Sequence, residues 1–363
     1  MERDPKAKRP PRERAGTVVV LGAGASRASG QSWDGKRGQK LACLPPLNAD
    51  FFTHLQRITI GKYGSTVRDV MGDVVDLFGS NFHLTLEDYF TQLEFLISSV
   101  NLATRSPDNY ANLSVRRDHL MAGLGAVLES STGEILKAES GCALHNKLVA
   151  KLQPSDTIIS FNYDCIIDDA LKRFSAAKWD PTWGYGFPSE YDVRGVDSWT
   201  PDVPASSSRA CVRLLKLHGS VNWQLPSRAG DPIRLKTRLY KQRGTPRFSI
   251  IPPVWNKSAY TGTEEAKIYP HIWRAAARAI RNARKIVVVG FSFAPTDLQA
   301  QSVFRIALDA NKWLDLLVLA TPSSETRRRI REVFDVPLAE RRVVVRQFDD
   351  FDDLTNHLDT ALA

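Results

Sequence analysis

The stretch from Thr17 to Ser26 constrains the fold of this chain more than any other. Val18 to Leu21 run without a polar interruption into the sequence G-A-G-A-S. An apolar run of this length is typical of a buried strand in a parallel sheet, and the glycines let the backbone approach an anion held at a helix start. A dinucleotide fingerprint wants a third small residue where Arg27 stands, so a plain strand-to-helix turn remains the alternative.

Five more short apolar runs follow along the chain, and segments with helical spacing separate them. They are Thr157–Phe161, Val212–Leu217, Lys285–Val289, Leu316–Ala320 and Val343–Gln347. Strands that alternate with helices predict an α/β fold whose parallel strands are covered on both faces. We therefore predict a Rossmann-like parallel six-stranded sheet with helices on both faces.

Between the first strand and the second, the apolar residues follow a helical spacing. The clearest example is the series Leu86, Tyr89, Phe90, Leu93, Leu96, Ile97 and Val100. Thr85 and Asp88 have the spacing of a capping box at its start, and a loop is expected over Asn101–Asn112. The predicted organisation is a leader over residues 1–16 and one domain over residues 17–363, with a helical subdomain inserted at about 50–152.

The formal net charge is +9, and part of it lies in the Pro-, Lys- and Arg-rich segment Met1–Gly16. This composition predicts a disordered basic leader without the apolar core of a signal peptide. No stretch is long and apolar enough to span a bilayer, so we expect a cytoplasmic protein without membrane contact. The leader leaves contact with nucleic acid open, whereas Arg274–Arg284 is expected to be a solvated helix face.

The cysteines are far apart and form no C-x-x-C pair; they are Cys43, Cys142, Cys165 and Cys211. We expect small buried thiols rather than a zinc ribbon or a disulfide framework. The spacing of His, Cys and acidic residues also matches no set of metal ligands, so the sequence predicts no metal site.

Polar or glycine-rich residues directly follow four of the predicted strands. These strand ends are Gly22–Ser26, Asn162–Asp164, His218–Ser220 and Gly290–Ser292. The carboxyl ends of parallel strands meet at one edge of the sheet, where ligands bind in open α/β folds. The sequence therefore predicts a ligand site there. The segment Gln31–Leu47 is either a loop that covers the ligand or a surface excursion.

In this order, the four strand ends resemble the motifs of sirtuins. The matching segments are G-A-G-A-S, F-N-Y-D, L-H-G-S and G-F-S. The resemblance runs from about Thr17 to Phe348 and is greatest to the zinc-less bacterial branch of sirtuin-like proteins, several of which are NAD-consuming effectors of anti-phage defence. It implies a Rossmann-like domain that binds NAD, with no zinc.

The resemblance also implies a role for each segment. Asn162 and Asp164 match residues that surround the nicotinamide ribose and order a water, and His218 matches the catalytic histidine. The glycine loop matches the pyrophosphate site, and the G-F-S segment matches residues beside the adenosine half. The candidate cofactor-binding residues are Gly22, Ala23, Gly24, Ser26, Gly219, Gly290, Ser292 and Asp297.

These residue types suit the cleavage of NAD. Loss of nicotinamide leaves an oxocarbenium-like ribosyl cation, which needs a nearby negative charge and an acceptor activated by a base. Asn162 can orient a water or a ribose hydroxyl, Asp164 can stabilise the positive charge, and the imidazole of His218 titrates in the range of a general base.

Several of the same residues have a structural alternative. Asn162 and Asp164 can cap the helix that follows them. Asp297 can serve the dipole of the next helix, at whose start Thr296 and Gln299 are predicted to form a capping-box-like pair. The others with an alternative are His218, as a packed loop residue, and Ser292, as a turn residue.

Two departures from the sirtuin pattern favour simple NAD cleavage over protein deacylation. No cysteine follows Cys211, where sirtuin deacylases carry a four-cysteine zinc module, and Phe161 replaces the glutamine before the family asparagine. We predict an NAD glycohydrolase that forms nicotinamide and ADP-ribose as a regulated effector of anti-phage defence. The alternatives are an NAD-dependent deacylase and a non-catalytic nucleotide-sensing module.

Unrestrained loss of NAD kills a cell, so such an enzyme must be held in check. We therefore expect a homo-oligomer, a regulatory partner such as an ATPase or nuclease, or both. The helical insert and the termini are the expected interface.

Overall fold

The computed structural model describes residues 16–33, 41–58, 63–103, 107–195, 199–226, 228, 230–236, 249–254, 267–340 and 343–363. The predicted basic leader, apart from Gly16, lies outside these residues. So do residues 34–40 of the segment for which the sequence predicts either a cover over the ligand or a surface excursion. The division into leader, domain and insert stays a prediction.

Six strands form the main sheet, and their positions agree with the sequence prediction to within about a residue at each end. They are β1 (Thr17–Leu21), β2 (Thr157–Ser160), β3 (Arg213–Lys216), β4 (Lys285–Val289), β5 (Leu316–Ala320) and β6 (Val344–Phe348). All neighbouring pairs are parallel, in the spatial order β3-β2-β1-β4-β5-β6. This is the strand order of a Rossmann-like fold, which confirms the predicted fold class.

The centre of the sheet is buried on both faces. In β1, Val19, Val20 and Leu21 are fully buried, although successive side chains of a strand point to opposite faces. Each such aliphatic side chain contributes on the order of 1.5–3 kcal/mol by leaving water. Helices therefore cover both faces, as the unbroken apolar runs predicted.

The structure assigns fourteen helices along the described chain. In the first half they are α1 (Ala23–Ser32), α2 (Phe51–Arg57), α3 (Gly64–Phe78), α4 (Leu86–Ala103), α5 (Pro107–Lys137), α6 (Ala143–Lys151) and α7 (Ile166–Phe174). In the second half they are α8 (Pro181–Gly184), α9 (Ile268–Asn282), α10 (Leu298–Asp309), α11 (Ser324–Val333), α12 (Asp335–Glu340), α13 (Phe351–Asn356) and α14 (Leu358–Leu362). None of these helices is long and apolar enough to cross a membrane.

Five helices, α2 to α6, lie between α1 and β2. The predicted capping box at the start of α4 is present: the Asp88 amide donates to the Thr85 hydroxyl (3.2 Å), and the Thr85 amide donates to the Asp88 carboxylate (3.0 Å). The predicted loop at 101–112 is wrong, because α4 continues to Ala103 and α5 begins at Pro107. Proline is well tolerated in the first turn of a helix, where its missing N–H costs nothing.

Two small sheets flank the carboxyl end of β3. Residues 193–194, 223–224 and 233–235 form one, and residues 219–220 pair with 249–250 in the other. Strands of two or three residues are too short to show a period of two in the sequence. They matter here because they fix the backbone that directly follows His218.

All four cysteines are free and buried, as expected. Cys142 nevertheless differs from a simple apolar thiol, since its sulfur lies 3.4 Å from Nδ1 of His145. Burial alone would raise the pKa of Cys142, but the charge and hydrogen bonds of His145 lower that pKa to about 7.

The glycine loop after β1 packs directly on the loop after β4. The Gly22 amide donates to the Val289 carbonyl (3.1 Å), and the Gly24 amide donates to the Gly290 carbonyl (2.9 Å). A Cβ atom on Gly290 would lie 2.3 Å from the backbone nitrogen of Ala25, and Gly290 has φ +59°. The glycines are therefore needed for the contact between two loops, at the point where the strand order reverses.

We expect Gly290→Ala to destabilise the protein by at least about 2 kcal/mol, because it adds a backbone clash to a left-handed conformation. Gly72→Ala is the matched control: Gly72 lies inside α3, and no atom lies within 4 Å of the position that a Cβ would take, so alanine should raise stability by up to about 1 kcal/mol. Urea denaturation measures both. Equal effects of the two substitutions would contradict the packing argument.

Candidate active site

A cavity of about 770 Å³ opens at the carboxyl edge of the sheet, beside the point where the strand order reverses. It is within the size range of ligand pockets, about 300–1,000 Å³. Eight of the predicted site residues line it: Ala23, Gly24, Ser26, Asn162, Asp164, His218, Gly290 and Ser292. Gly22, Gly219 and Asp297 do not line it, and the structure places them behind the residues that do.

Ser26, Asn162 and Asp164 form one hydrogen-bonded network that joins the ends of β1 and β2. The hydroxyl of Ser26 donates to the Asp164 carboxylate (2.6 Å), and the Asn162 amide donates to the same hydroxyl (2.9 Å) and to the Gly22 carbonyl (2.9 Å). Both N–H groups of the Asn162 amide are thereby used. A ligand in the cavity therefore meets Asn162 as an acceptor, through its amide oxygen.

Asp164 also binds the start of the helix that follows it, although the N-cap residue of that helix is Cys165. Its second carboxylate oxygen accepts the amide of Ile166, at 3.0 Å, at the first residue of α7. Asp164 is 4% exposed and lines the cavity nonetheless. The hydrogen bonds to Ser26 and Ile166 hold its carboxylate in one orientation, so contact with the helix start and contact with a ligand are compatible here.

In the folded protein, several backbone N–H groups of the glycine loop are already used by other backbone carbonyls and are not available to an anion. The N–H groups of Gly22 and Gly24 donate to the β4 loop, and that of Ala25 donates to the Gly22 carbonyl (2.9 Å). Ala23 is exposed and stands at the first position of α1. The helix start at Ala23, rather than the N–H groups of both glycines, is therefore the part of this loop that is left exposed to an anion.

His218 is held in an aromatic shell with one carboxylate beside it. Its Nε2 lies 3.8 Å from Oδ2 of Asp297, and its ring meets Phe161 edge-on with centroids 5.2 Å apart. The ring of Trp273, from α9, lies beside the imidazole with centroids 6.2 Å apart, and its indole N–H donates to the Leu217 carbonyl (3.1 Å). His218 is 8% exposed, which leaves little room for water other than through the cavity.

Asp297 links this histidine to α10. It is the N-cap of that helix, and its Oδ1 accepts the Ala300 amide at 3.4 Å. The predicted capping-box-like pair of Thr296 and Gln299 is wrong, because Thr296 instead donates to the Glu87 carboxylate (2.9 Å). Asp297 thus fulfils the helix-dipole alternative and also stands beside His218.

Gly219 turns the chain behind the site. Its φ of +80° suits glycine, and a Cβ there would lie 2.3 Å from the Ser249 carbonyl oxygen. The His218 carbonyl accepts the Ile251 amide at 2.8 Å, so the short strand pair on this side fixes the backbone of the histidine. Gly219 positions His218 and is not placed to touch a ligand.

Sequence reasoning missed Lys216, which is fully buried beside the site. Its ammonium donates to the Asp164 carbonyl (2.5 Å), the Asp168 carboxylate (3.0 Å) and the Ser220 hydroxyl (2.6 Å). Burial alone would lower the pKa of Lys216, but the neighbouring carboxylates, Asp168 first, raise it above its usual value. Tyr185 completes the cluster by donating to Asp168 at 2.5 Å.

Lys216 therefore ties the segment after β2 to the segment after β3. A lysine within the apolar run of β3, directly before the L-H-G-S segment, was the signal that could have revealed it. A charged residue in a strand buried on both faces is rare unless it is paired.

The ends of β5 and β6 also reach the cavity, which the sequence analysis did not predict. The added lining residues are Thr321, Pro322, Ser323, Thr326, Asp350 and Phe351. These residues lie between a strand and the helix that follows it, or in the first turn of that helix. Ser323 caps α11 by accepting the Thr326 amide (3.2 Å). The same rule of polar residues after an apolar run would have found them.

Arg27 is the residue that departs from the dinucleotide fingerprint, and its side chain points toward the start of α2. It pairs with Asp50 (2.8 Å) and donates to the Pro45 carbonyl (3.1 Å). Pro45, Pro46 and Leu47 line the cavity, so the described end of the segment over residues 31–47 covers part of the site.

A family model described as a SIR2-like domain matches residues 156–335. That range contains Asn162, Asp164, His218, Gly290 and Ser292, whereas the glycine loop lies before it. The match supports a sirtuin-like family for this chain, and SIR2-like domains are NAD-utilising enzymes. No curated protein matches the chain. Across the described ranges, no three His, Cys, Asp or Glu side chains are grouped to hold a metal ion.

We expect Lys216→Met to destabilise the protein by about 3–5 kcal/mol, because it leaves the Asp168 carboxylate buried without its cation. Lys151→Met is the matched control. Lys151 forms an exposed ion pair with Asp359 (2.6 Å), whose loss should cost at most about 1 kcal/mol. The free energy of unfolding in urea is the measurement.

A second substitution separates the ion pair from the packing of the lysine. Adding Asp168→Leu to Lys216→Met should recover part of the lost stability, since no buried charge is then left alone. A double variant as unstable as the sum of its two single variants would contradict an important role for the pair.

Proposed function

We propose that this protein is an NAD glycohydrolase that cleaves NAD to nicotinamide and ADP-ribose. The observation that carries the proposal is the convergence of two side-chain groups at one cavity, which Ser26, Asn162, Asp164 and His218 line, with Asp297 behind His218. The Ser26–Asn162–Asp164 network and the His218–Asp297 pair come from four different chain segments and meet beside the reversal of strand order. A dinucleotide binds across that point in Rossmann-like folds.

We propose one orientation for NAD in this cavity. Its pyrophosphate would lie at the start of α1, at Ala23, where the helix dipole favours negative charge. The adenosine half would lie along the ends of β4 and β5, near Ser292 and Thr321. The nicotinamide ribose would then lie between Asn162, Asp164 and His218, which line the opposite side.

The proposed reaction breaks the bond between C1′ of the ribose and the pyridinium nitrogen. The electron pair of that bond leaves with nicotinamide, which becomes neutral, and the ribose becomes an oxocarbenium-like cation. The carboxylate of Asp164 stabilises the developing positive charge. A water held by the amide oxygen of Asn162 adds to C1′, and His218 takes its proton, with Asp297 beside the imidazolium that forms.

Phe161 supports water rather than an acylated peptide as the acceptor. Its ring stacks on Phe291 with centroids 3.9 Å apart and an interplanar angle of 6°, and it meets His218 edge-on. An apolar pair thus stands where a sirtuin deacylase would have its glutamine. This Phe161–Phe291 pair would keep bulk water away from the ribosyl cation. Water would then reach the cation only at polar groups such as Asn162.

Nicotinamide release from NAD by the purified protein tests this proposal. We expect His218→Ala to lower the rate by about 100-fold or more, because general-base catalysis contributes about 10²–10⁴-fold. Asn162→Ala should lower it as well. His357→Ala is the matched control, since His357 lies between α13 and α14 and pairs with Asp353, away from the cavity. It should keep the parent rate.

Three outcomes would overturn the proposal. Cleavage that strictly requires an acetylated peptide would make the protein a deacylase. Tight NAD binding without turnover, under any condition and with any genomic neighbour, would make it a sensing module. A His218→Ala variant as active as the parent would remove the assigned base.

We further propose that the activity serves anti-phage defence and is restrained by oligomerisation or a partner, as the sequence resemblance implies. In a bacterial host that expresses the parent protein with its genomic neighbours, NAD should fall after phage infection. It should remain unchanged with His218→Ala. Equal NAD levels and equal phage yields in the two strains would contradict the defence role while leaving the reaction itself intact.

A further inference from the structure

A second cavity, of about 310 Å³, lies at the amino end of β3, whereas His218 of the candidate active site follows the carboxyl end of that strand. Arg213, Arg274 and Arg278 line it, together with His271 and Phe187. It shares no lining residue with the larger cavity. The proposed function uses none of these residues.

The fold brings the three arginines together from two elements. Arg213 is the first residue of β3, which is the edge strand of the main sheet. His271, Arg274 and Arg278 are spaced by three and four residues on α9, so they share one face of that helix. Since α9 packs against β3, the helix face and the strand start form opposite walls of one concave site.

The arginine side chains of this cavity are exposed. Arg213, Arg274 and Arg278 are all exposed, and the described residues that line the cavity include no Asp or Glu. Within the described ranges, none of the three arginines forms an ion pair, unlike Arg284 at the end of the same helix, which pairs with Asp315. Three like charges around one small volume repel one another unless an anion lies between them.

Part of this site is already oriented. The Arg274 side chain donates to the Pro270 carbonyl (3.1 Å), and its Nη2 lies 3.3 Å from Nδ1 of His271. Phe187 is half-buried and is held edge-on by Trp223, with ring centroids 4.9 Å apart. The cavity thus combines several guanidinium groups with one fixed aromatic ring.

We infer that this cavity binds a small phosphate-bearing ligand of the nucleoside phosphate class. Arginine matches the oxygen geometry of a phosphate with paired N–H groups, and the described lining of this cavity holds no carboxylate to compete for them. The Phe187 ring offers an apolar surface for a base. The volume of about 310 Å³ suits a mononucleotide rather than an extended polymer. This inference does not depend on NAD cleavage by the larger cavity.

Isothermal titration calorimetry with inorganic phosphate, pyrophosphate and AMP tests it. The parent protein should bind pyrophosphate, and Arg274→Gln with Arg278→Gln should weaken that binding at least about tenfold, since two charge-assisted hydrogen-bonding groups are lost. Arg213→Gln should weaken it too, although it lies on a different element. Arg281→Gln is the matched control: Arg281 is exposed on α9 but does not line the cavity, so binding should stay within about twofold.

The thermal unfolding midpoint of each variant confirms that it is folded, which exposed side chains should allow. Pyrophosphate binding that the variants at 213, 274 and 278 leave unchanged would overturn the inference and assign the anion to another site. AMP that binds no more tightly than inorganic phosphate would overturn the nucleoside assignment. Tighter binding of a single-stranded oligonucleotide, reduced equally by Arg281→Gln, would assign the surface to nucleic acid instead.

Discussion

The contact between the loops after β1 and β4 is the constraint on which the rest of the structure depends. Gly22 and Gly24 donate their amides to carbonyls at the end of β4, and Gly290 leaves no room for a Cβ. Because the strand order reverses at this point, the contact also forms the base of the cavity. In the sequence, these glycines resemble a phosphate-binding loop. In the structure, their main role is to allow close packing between the two loops, and the exposed start of α1 at Ala23 is the part of the segment open to the solvent.

The buried Lys216 cluster plays the corresponding role on the other side of the cavity. One ammonium group joins Asp164, Asp168 and Ser220, so the segments that follow β2 and β3 cannot move independently. Taking this charge out of water is costly and is offset only by the full set of hydrogen bonds around it. In both places a rigid backbone contact, rather than the ligand-facing side chain alone, sets the geometry of the site.

Much of the fold was predictable because its signals are local. The six strands of the sheet are continuous apolar runs, and the Thr85–Asp88 cap spans three residues, so neighbouring positions carry the information. The predicted loop over 101–112 failed for the opposite reason. Residues 101–103 belong to α4 and residues 107–112 to α5, so a run of polar residues in the sequence did not distinguish a loop from a helix. The two- and three-residue strands around His218 carry no periodic signal at all.

The sequence by itself determined the fold class and identified Ser26, Asn162, Asp164 and His218 as candidates for a site at the carboxyl edge of the sheet, since a strand end is visible as an apolar run followed by polar residues. Only the tertiary structure decided which of them face the cavity. It placed Gly219 and Asp297 behind His218, brought Lys216 under Asp164, and gathered Arg213 with Arg274 and Arg278. Apart from Gly219, which follows His218 in the chain, these relations join residues that lie between 52 positions (Asp164 to Lys216) and 79 positions (His218 to Asp297) apart. The distance between such residues is set by packing and not by any local pattern.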